Sequence, residues 1–269
     1  MFRPLYSYKK MKQFLSFSLL VLFSVSIYSC TSEETPETTK KDITPTDTDT
    51  TFVKTLTFAS EDGLEMTADQ YHIKKDKPII ILCHQAGWSR GEYIEIAVTL
   101  NDLGFNCIAL DQRSGRAIQG VTNETAAKAK AEGKGQTFLD AEQDITAAIT
   151  KFSAEYNQDV ILWGSSYSSS LVLKIAAVND KVSKVLSFSP GEYLTGVSVA
   201  TVVKSLDKPA FLTSSKSEAG QTKAIFDSIK STTKTQFVPN GAGRHGSSAL
   251  WTAEADNAEY WVAVKAFLD

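Results

Sequence analysis

Residues 159–170 read Asp-Val-Ile-Leu-Trp-Gly-Ser-Ser-Tyr-Ser-Ser-Ser, and the fold turns on this stretch. After the leading Asp the run to Gly164 is continuously apolar and of strand length, as in a strand buried on both faces of a parallel sheet. A helical pattern follows over 166–178. Between the two lies Gly164-Ser165-Ser166-Tyr167-Ser168, a G-x-S-x-S sequence. The spacing predicts a sharp strand-to-helix turn with Ser166 at its apex. Its hydroxyl is then exposed at a helix N-terminus, where the dipole favours developing negative charge. Crowded backbone at such a turn calls for small residues, and Ser168 stands where the pattern usually has a second glycine. Serine is also an ordinary helix N-cap, so the strand-turn-helix context carries the reading more than the five residues themselves.

Working outward, the same alternation covers the chain from residue 51 to 269. Strands are predicted over 52–58, 64–73, 78–84, 106–111, 159–164, 182–188, 209–214 and 234–238. Helices are predicted over 91–103, 138–156, 166–178, 218–230 and 249–267. The first two strands alternate polar with apolar and lie close together, like an antiparallel hairpin at a sheet edge. The rest imply right-handed crossovers and an α/β fold: a mostly parallel eight-stranded sheet with helices on both faces. In such sheets the chemistry sits beyond the carboxyl ends of the strands.

Composition removes other classes. With 42% hydrophobic and 22% charged residues the chain is globular rather than disordered. A formal net charge of −3 gives no basic footprint for nucleic acid. Three histidines (His72, His84, His245) and three cysteines without a C-x-x-C pair argue against a structural metal, and no cofactor motif is present.

The first thirty residues read as an address. Arg3, Lys9, Lys10 and Lys12 precede an apolar, serine-containing run over 14–28, shorter than the roughly 20 residues of a spanning helix. The run ends at Ile27-Tyr28-Ser29-Cys30, which resembles a bacterial lipobox despite the bulky Tyr28. The resemblance implies a lipoprotein signal peptide over 1–29 and a lipidated Cys30. Residues 31–50 hold eight Thr, six Asp or Glu and only one apolar side chain, so 30–50 is expected to be a disordered tether. Multiple lipid chains would anchor it stably. The expected location is the bacterial cell envelope, lipid-anchored to the outer membrane, on the periplasmic or the surface face.

Two further motifs join the serine turn. The third strand ends in His84-Gln85-Ala86-Gly87-Trp88, which resembles an H-G-x-G loop with Gln85 in place of the first glycine. The fourth ends in Asp111-Gln112-Arg113-Ser114-Gly115, similar to a D-x-R-G-x-G turn. Together with the serine turn these resemble the α/β-hydrolases, of the small, lidless dienelactone-hydrolase or serine-esterase kind, over about residues 52–269. The resemblance implies a triad in the chain order serine, acid, histidine. Ser166 is then the nucleophile. His245, in the Gly-rich loop 240–246, is the base, because no other histidine follows Ser166. Glu218, just past the strand 209–214, is the expected acid, with Glu192 after the preceding strand as the fallback. The N–H groups of Ala86 and Tyr167 are the expected oxyanion donors. His84 is expected to brace its loop, His72 to be a surface or packed strand residue, and Asp111 to stabilise its turn.

Only residues 189–208 separate the sixth and seventh strands, so no large cap domain is expected. The unusual insertion is 112–137, read as a strandless loop that overhangs Ser166. It carries Lys128, Lys130 and Lys134, facing either an anionic substrate or solvent, and Asn123-Glu124-Thr125, a glycosylation sequon by pattern. Cys83 and Cys107 lie in apolar strands and are expected to be reduced. The implied activity is hydrolysis of a small-molecule or glycan ester through an acyl-enzyme. A non-catalytic surface lipoprotein that uses the fold for binding, and a peptidase or amidase with the same triad, remain open at this point.

Overall fold

A computed structural model describes residues 52–269. The signal peptide, Cys30 and the tether lie outside the described residues.

All eight expected strands form, in one sheet. They are β1 (Phe52–Ala59), β2 (Glu65–His72), β3 (Ile79–Cys83), β4 (Asn106–Leu110), β7 (Val160–Ser165), β8 (Val182–Phe188), β9 (Ala210–Thr213) and β10 (Lys234–Phe237). A separate small hairpin pairs β5 (Ala117–Ile118) with β6 (Val121–Thr122). The order across the large sheet is β1-β2-β4-β3-β7-β8-β9-β10. β1 pairs antiparallel with β2 from Phe52↔His72 to Ala59↔Glu65, and β2 antiparallel with β4. Every other pairing is parallel. The central strands β3, β4 and β7 are buried at every position, which is why they read as unbroken apolar runs.

Alternate residues of those strands feed two cores. Ile79, Ile81 and Cys83 pack with Ile145, Ile149 and Phe152 of α3 (Glu142–Tyr156) and Leu171 and Ile175 of α4 (Tyr167–Ala176). The same core takes Val199 of the short α5 (Val199–Val202) and Ile225 of α6 (Ala219–Ser228). On the other face Ile80 and Leu82 pack with Ile96 and Leu100 of α1 (Ile94–Asp102) and Tyr260 and Val264 of α7 (Asn257–Leu268). Cys83 and Cys107 divide between the two cores. Cys107 pairs in register with Ile80, not Cys83, and both are buried free thiols.

Two expectations need correction, and one motif gains a structural role. The insertion is not strandless: it holds β5, β6 and α2 (Glu124–Ala131). Gln119 and Gly120 both have positive φ (51° and 75°), the backbone of a two-residue hairpin turn. Strands of two residues leave no periodicity to read. Asn123 of the N-E-T sequence is the N-cap of α2, buried, accepting the N–H of Ala126 at 2.7 Å. Finally, the helix expected over 249–267 begins only at Asn257. The preceding residues are used as braces: Trp251 Nε1 donates to the Glu92 carbonyl at 2.9 Å, and Glu254 takes Arg244.

The insertion is fastened through charge. Arg113, buried, spans Asp144 of α3 (Nη2 to Oδ1, 2.7 Å) and Asp62 of the β1–β2 turn (Nη1 to Oδ2, 3.0 Å). Ser60 donates to the same Asp144 at 2.7 Å. Removing Asp144 leaves the buried Arg113 with only the partly exposed Asp62 as counter-charge and takes the acceptor from Ser60. Asp144→Ala is therefore expected to cost about 3–5 kcal/mol of unfolding free energy, read as a lower urea midpoint, far more than an exposed pair such as Lys223–Asp227.

Candidate active site

The serine turn has the expected backbone. Ser166 sits at φ 57°, ψ −121°, immediately between β7 and α4. Its N–H donates to the Phe188 carbonyl at 2.8 Å, which fastens the turn to the end of β8. A Cβ at Gly164 would lie 2.4 Å from the Ser168 carbonyl oxygen, so only glycine fits there. Ser168 fills the place of the missing second glycine. Its hydroxyl donates to the His84 carbonyl at 2.6 Å and accepts Gln112 Nε2 at 2.6 Å, tying the turn to the ends of β3 and β4.

His245 lies on the loop between β10 and α7. Its Nδ1 is 2.5 Å from Glu218 Oε1. The loop is fixed beside the serine turn by two backbone donors: Gly246 N–H to Ser189 Oγ (2.9 Å) and Ser247 N–H to Ser165 Oγ (2.9 Å). Gly246 has φ 71°, and a Cβ there would stand 2.5 Å from Ser165 Oγ. The approach of this loop to the elbow thus depends on a glycine.

Glu218 closes the short 3-10 turn Lys216–Glu218 and is the far end of a capping box with Ser215. Its Oε2 accepts Ser215 Oγ at 2.7 Å and Ser189 Oγ at 2.9 Å. Burial alone would raise its pKa, but the hydrogen bonds from His245, Ser215 and Ser189 and the charge of His245 bring it down to about 2. An ionised carboxylate only accepts, so Nδ1 of His245 carries a proton, and Nε2 is the nitrogen whose lone pair is free in the neutral ring. Glu192 is elsewhere: its carboxylate accepts the N–H groups of Val199 (2.6 Å) and Ala200 (2.9 Å) at the start of α5.

The two expected donors lie at the start of α4 and in the turn after β3. Tyr167 is the first residue of α4, so its N–H has no intrahelical acceptor. Its ring is buried and stacked on Phe138, with centroids 4.2 Å apart. Ala86 lies in the turn after β3, which Trp88 N–H closes onto the Gln85 carbonyl at 3.3 Å. Gln85, in place of the usual glycine, donates its N–H to Glu92 Oε2 at 2.8 Å.

His84 braces this region. Its Nε2 accepts the N–H of Gln112 (3.1 Å), a group that can only donate, so Nδ1 carries the proton and gives it to the Gln85 carbonyl (2.8 Å). Burial, only partly offset by its bonds to Gln85 and Gln112, lowers its pKa to about 4 and keeps it neutral. Asp111 holds its turn, accepting Arg90 N–H (2.8 Å), Arg90 Nη1 (2.6 Å) and Glu124 N–H (2.9 Å). His72 is a packed strand residue with Nδ1 2.9 Å from the Tyr156 hydroxyl.

An open cleft of about 1010 Å³ adjoins the Ala86 turn. It runs between Ala86, Gly87 and Trp88 on one side and the insertion on the other, and Arg116, Asn123, Lys130 and Gln136 line it. Of the three insertion lysines only Lys130 faces it. Lys128 pairs with Glu65 and Lys134 with Asp62. Arg116 and the buried Glu92 have no signal in the sequence: each reads there as an ordinary charge in a turn. Among the described residues no group of three or more His, Cys, Asp or Glu side chains could hold a metal.

No family model matches the sequence, and no curated protein matches it. Among solved structures an esterase of Pyrococcus furiosus is similar at a TM-score of 0.64 and 17% identity, covering 81% of this chain and 92% of that one. A dienelactone hydrolase of Anabaena variabilis is similar at a TM-score of 0.64 and 12% identity, covering 81% and 97%. A monoacylglycerol lipase of Paleococcus ferrophilus is similar at a TM-score of 0.53 and 15% identity, covering 81% and 98%. The fold is that of the α/β-hydrolases. It is similar to that of a dienelactone hydrolase, and no large cap domain interrupts it among the described residues.

Glu218 provides a check on the charge geometry. Its folded pKa of about 2 lies below its ordinary value of 4.5. Its ionised form therefore contributes stability that is complete above about pH 4.5 and is lost as pH falls toward 2. The melting temperature of the wild type is expected to fall more steeply than that of Glu218→Gln when pH is lowered from 5 to 3.

Proposed function

We propose that this chain is a serine hydrolase that cleaves a small carboxylic ester through an acyl-enzyme intermediate. The observation that carries the reading is the Glu218–His245 pair, held by Ser189 and Ser165 beside a serine at the apex of a left-handed strand-to-helix turn. In this scheme Nε2 of His245 takes the hydroxyl proton of Ser166 as the oxygen attacks the ester carbonyl. The N–H groups of Ala86 and Tyr167 stabilise the oxyanion. His245 then protonates the leaving alcohol, and water repeats the sequence on the acyl-enzyme.

An ester is the favoured substrate because the cleft is open and the similar solved structures include esterases and a lipase. The cleft wall of the insertion shapes the substrate site in this reading. Purified protein is expected to turn over short-chain p-nitrophenyl esters. Ser166→Ala and His245→Ala should each lower kcat by on the order of 10⁴-fold or more. Turnover unaffected by either variant would contradict the assignment.

Export and lipidation at Cys30 form the second part of the proposal, supported by the basic leader, the apolar run and the tether composition. They place the enzyme on the bacterial envelope, where small or glycan-borne esters are accessible. Metabolic labelling with a fatty acid should mark the wild-type chain and not Cys30→Ala.

A further inference from the structure

Glu92 is wholly buried behind the three loops that carry the site, and the acyl-transfer scheme leaves it unused. It projects from the 3-10 turn Arg90–Tyr93 that precedes α1. Its Oε2 accepts the N–H of Gln85 at 2.8 Å, one residue before Ala86. Its Oε1 accepts the hydroxyl of Ser165 at 2.7 Å, one residue before Ser166. Ser165 Oγ in turn accepts the N–H of Ser247 at 2.9 Å, two residues after His245. One carboxylate is thus a single bond from the oxyanion turn, a single bond from the elbow and two bonds from the histidine loop.

The directions of these bonds are forced. The N–H groups of Gln85 and Ser247 can only donate. The Ser165 hydroxyl therefore accepts from Ser247 and gives its one proton to Glu92. The chain closes only if both carboxylate oxygens accept. A proton on Oε2 would face the Gln85 N–H, and a proton on Oε1 would face the Ser165 hydroxyl proton. In either case one tie between loops is broken or reversed, and a buried donor is left without an acceptor.

We propose that Glu92 is a positioning residue for the hydrolytic site: its ionised carboxylate holds the oxyanion turn, the serine elbow and the histidine loop in register, and its protonation releases them. This rests on the serine-hydrolase reading above. The groups that face Glu92 leave its charge with little help. Tyr93 of its own turn gives its hydroxyl to the Cys83 carbonyl, Tyr167 of α4 is buried, and Arg90 is committed to Asp69 and Asp111. His245 is the remaining titratable neighbour. Burial raises the pKa of Glu92 to about 7, against the opposing bonds from Ser165 and Gln85 and the charge of His245. The switch between the two forms thus falls near neutrality.

The test compares wild type, Glu92→Gln and Glu92→Asp in p-nitrophenyl acetate turnover across pH 5–9, with melting temperatures measured on the same samples. Gln has the shape of the protonated acid. In the wild type kcat should rise with pH, and its acid limb should be steeper than one proton, because His245 and Glu92 must both be unprotonated. Glu92→Gln should lower kcat roughly 10- to 100-fold with KM nearly unchanged. It should also reduce the acid limb to a single proton. Glu92→Asp, which keeps the charge, should restore the steeper limb with intermediate kcat. The melting temperature supplies a readout independent of turnover. A raised folded pKa means that the wild type loses stability as pH rises from about 4.5 to about 7. Glu92→Gln should therefore gain on the wild type between pH 5 and pH 8. Wild-type kcat and limb in Glu92→Gln, or a melting difference flat with pH, would overturn the role of Glu92 alone. A folded wild type without turnover would overturn the hydrolase reading and this role with it.

Discussion

The backbone of Ser166 is the constraint around which the site is built. At φ 57° and ψ −121° it occupies a region that costs a side-chain-bearing residue about 1–3 kcal/mol. Such a conformation persists only where the surroundings over-determine it. Here they do so through the Ser166 N–H bond to Phe188, the Ser165 bond to Glu92 and the Ser168 bonds to His84 and Gln112. Each flank of the turn is thus bonded to the end of another strand or to the loop beyond it. The parallel sheet provides this arrangement, since β3, β4, β7 and β8 all end on the same side.

The buried charges then act as fasteners rather than as chemistry. Arg113 with Asp144 and Asp62 secures one end of the insertion, and Arg90 with Asp111 and Asp69 secures the turn that carries Glu92. Both arginines start from the segments just after β3 and β4. The cleft wall and the Ala86 turn are consequently attached to the sheet by the same kind of bond, one that fails sharply when a single partner is removed.

Much of this is legible in the sequence because burial leaves a simple mark. Strands covered on both faces are apolar throughout, which marks β3, β4 and β7, while the edge hairpin of β1 and β2 shows as alternation. His245 is isolated by scarcity, being the one histidine after Ser166. Glu218 follows from its place after β9. What escapes are features decided by hydrogen bonds across long sequence separations. Glu92 meets Ser165 across 73 residues, and nothing around it in the chain hints at that partner. The Gln119-Gly120 hairpin is too short for a periodicity. Residues 251–256 have the composition of a helix but are drawn out of it by Trp251 and Glu254, which are bonded to Glu92 and Arg244. The departure at Ser168 gains its explanation only in three dimensions, where its hydroxyl ties the elbow to His84 and Gln112, whereas the tie at Gln85 is a backbone N–H that glycine would also supply.

The central claim is that Ser166 is a nucleophile activated by His245, and covalent capture tests it most directly. The purified protein would be treated with a fluorophosphonate and the modified peptide mapped by mass spectrometry. The account predicts a single adduct, on Ser166, that is lost in His245→Ala. A folded wild-type protein that stays unmodified, or one modified on Ser165 or Ser168 instead, would contradict it.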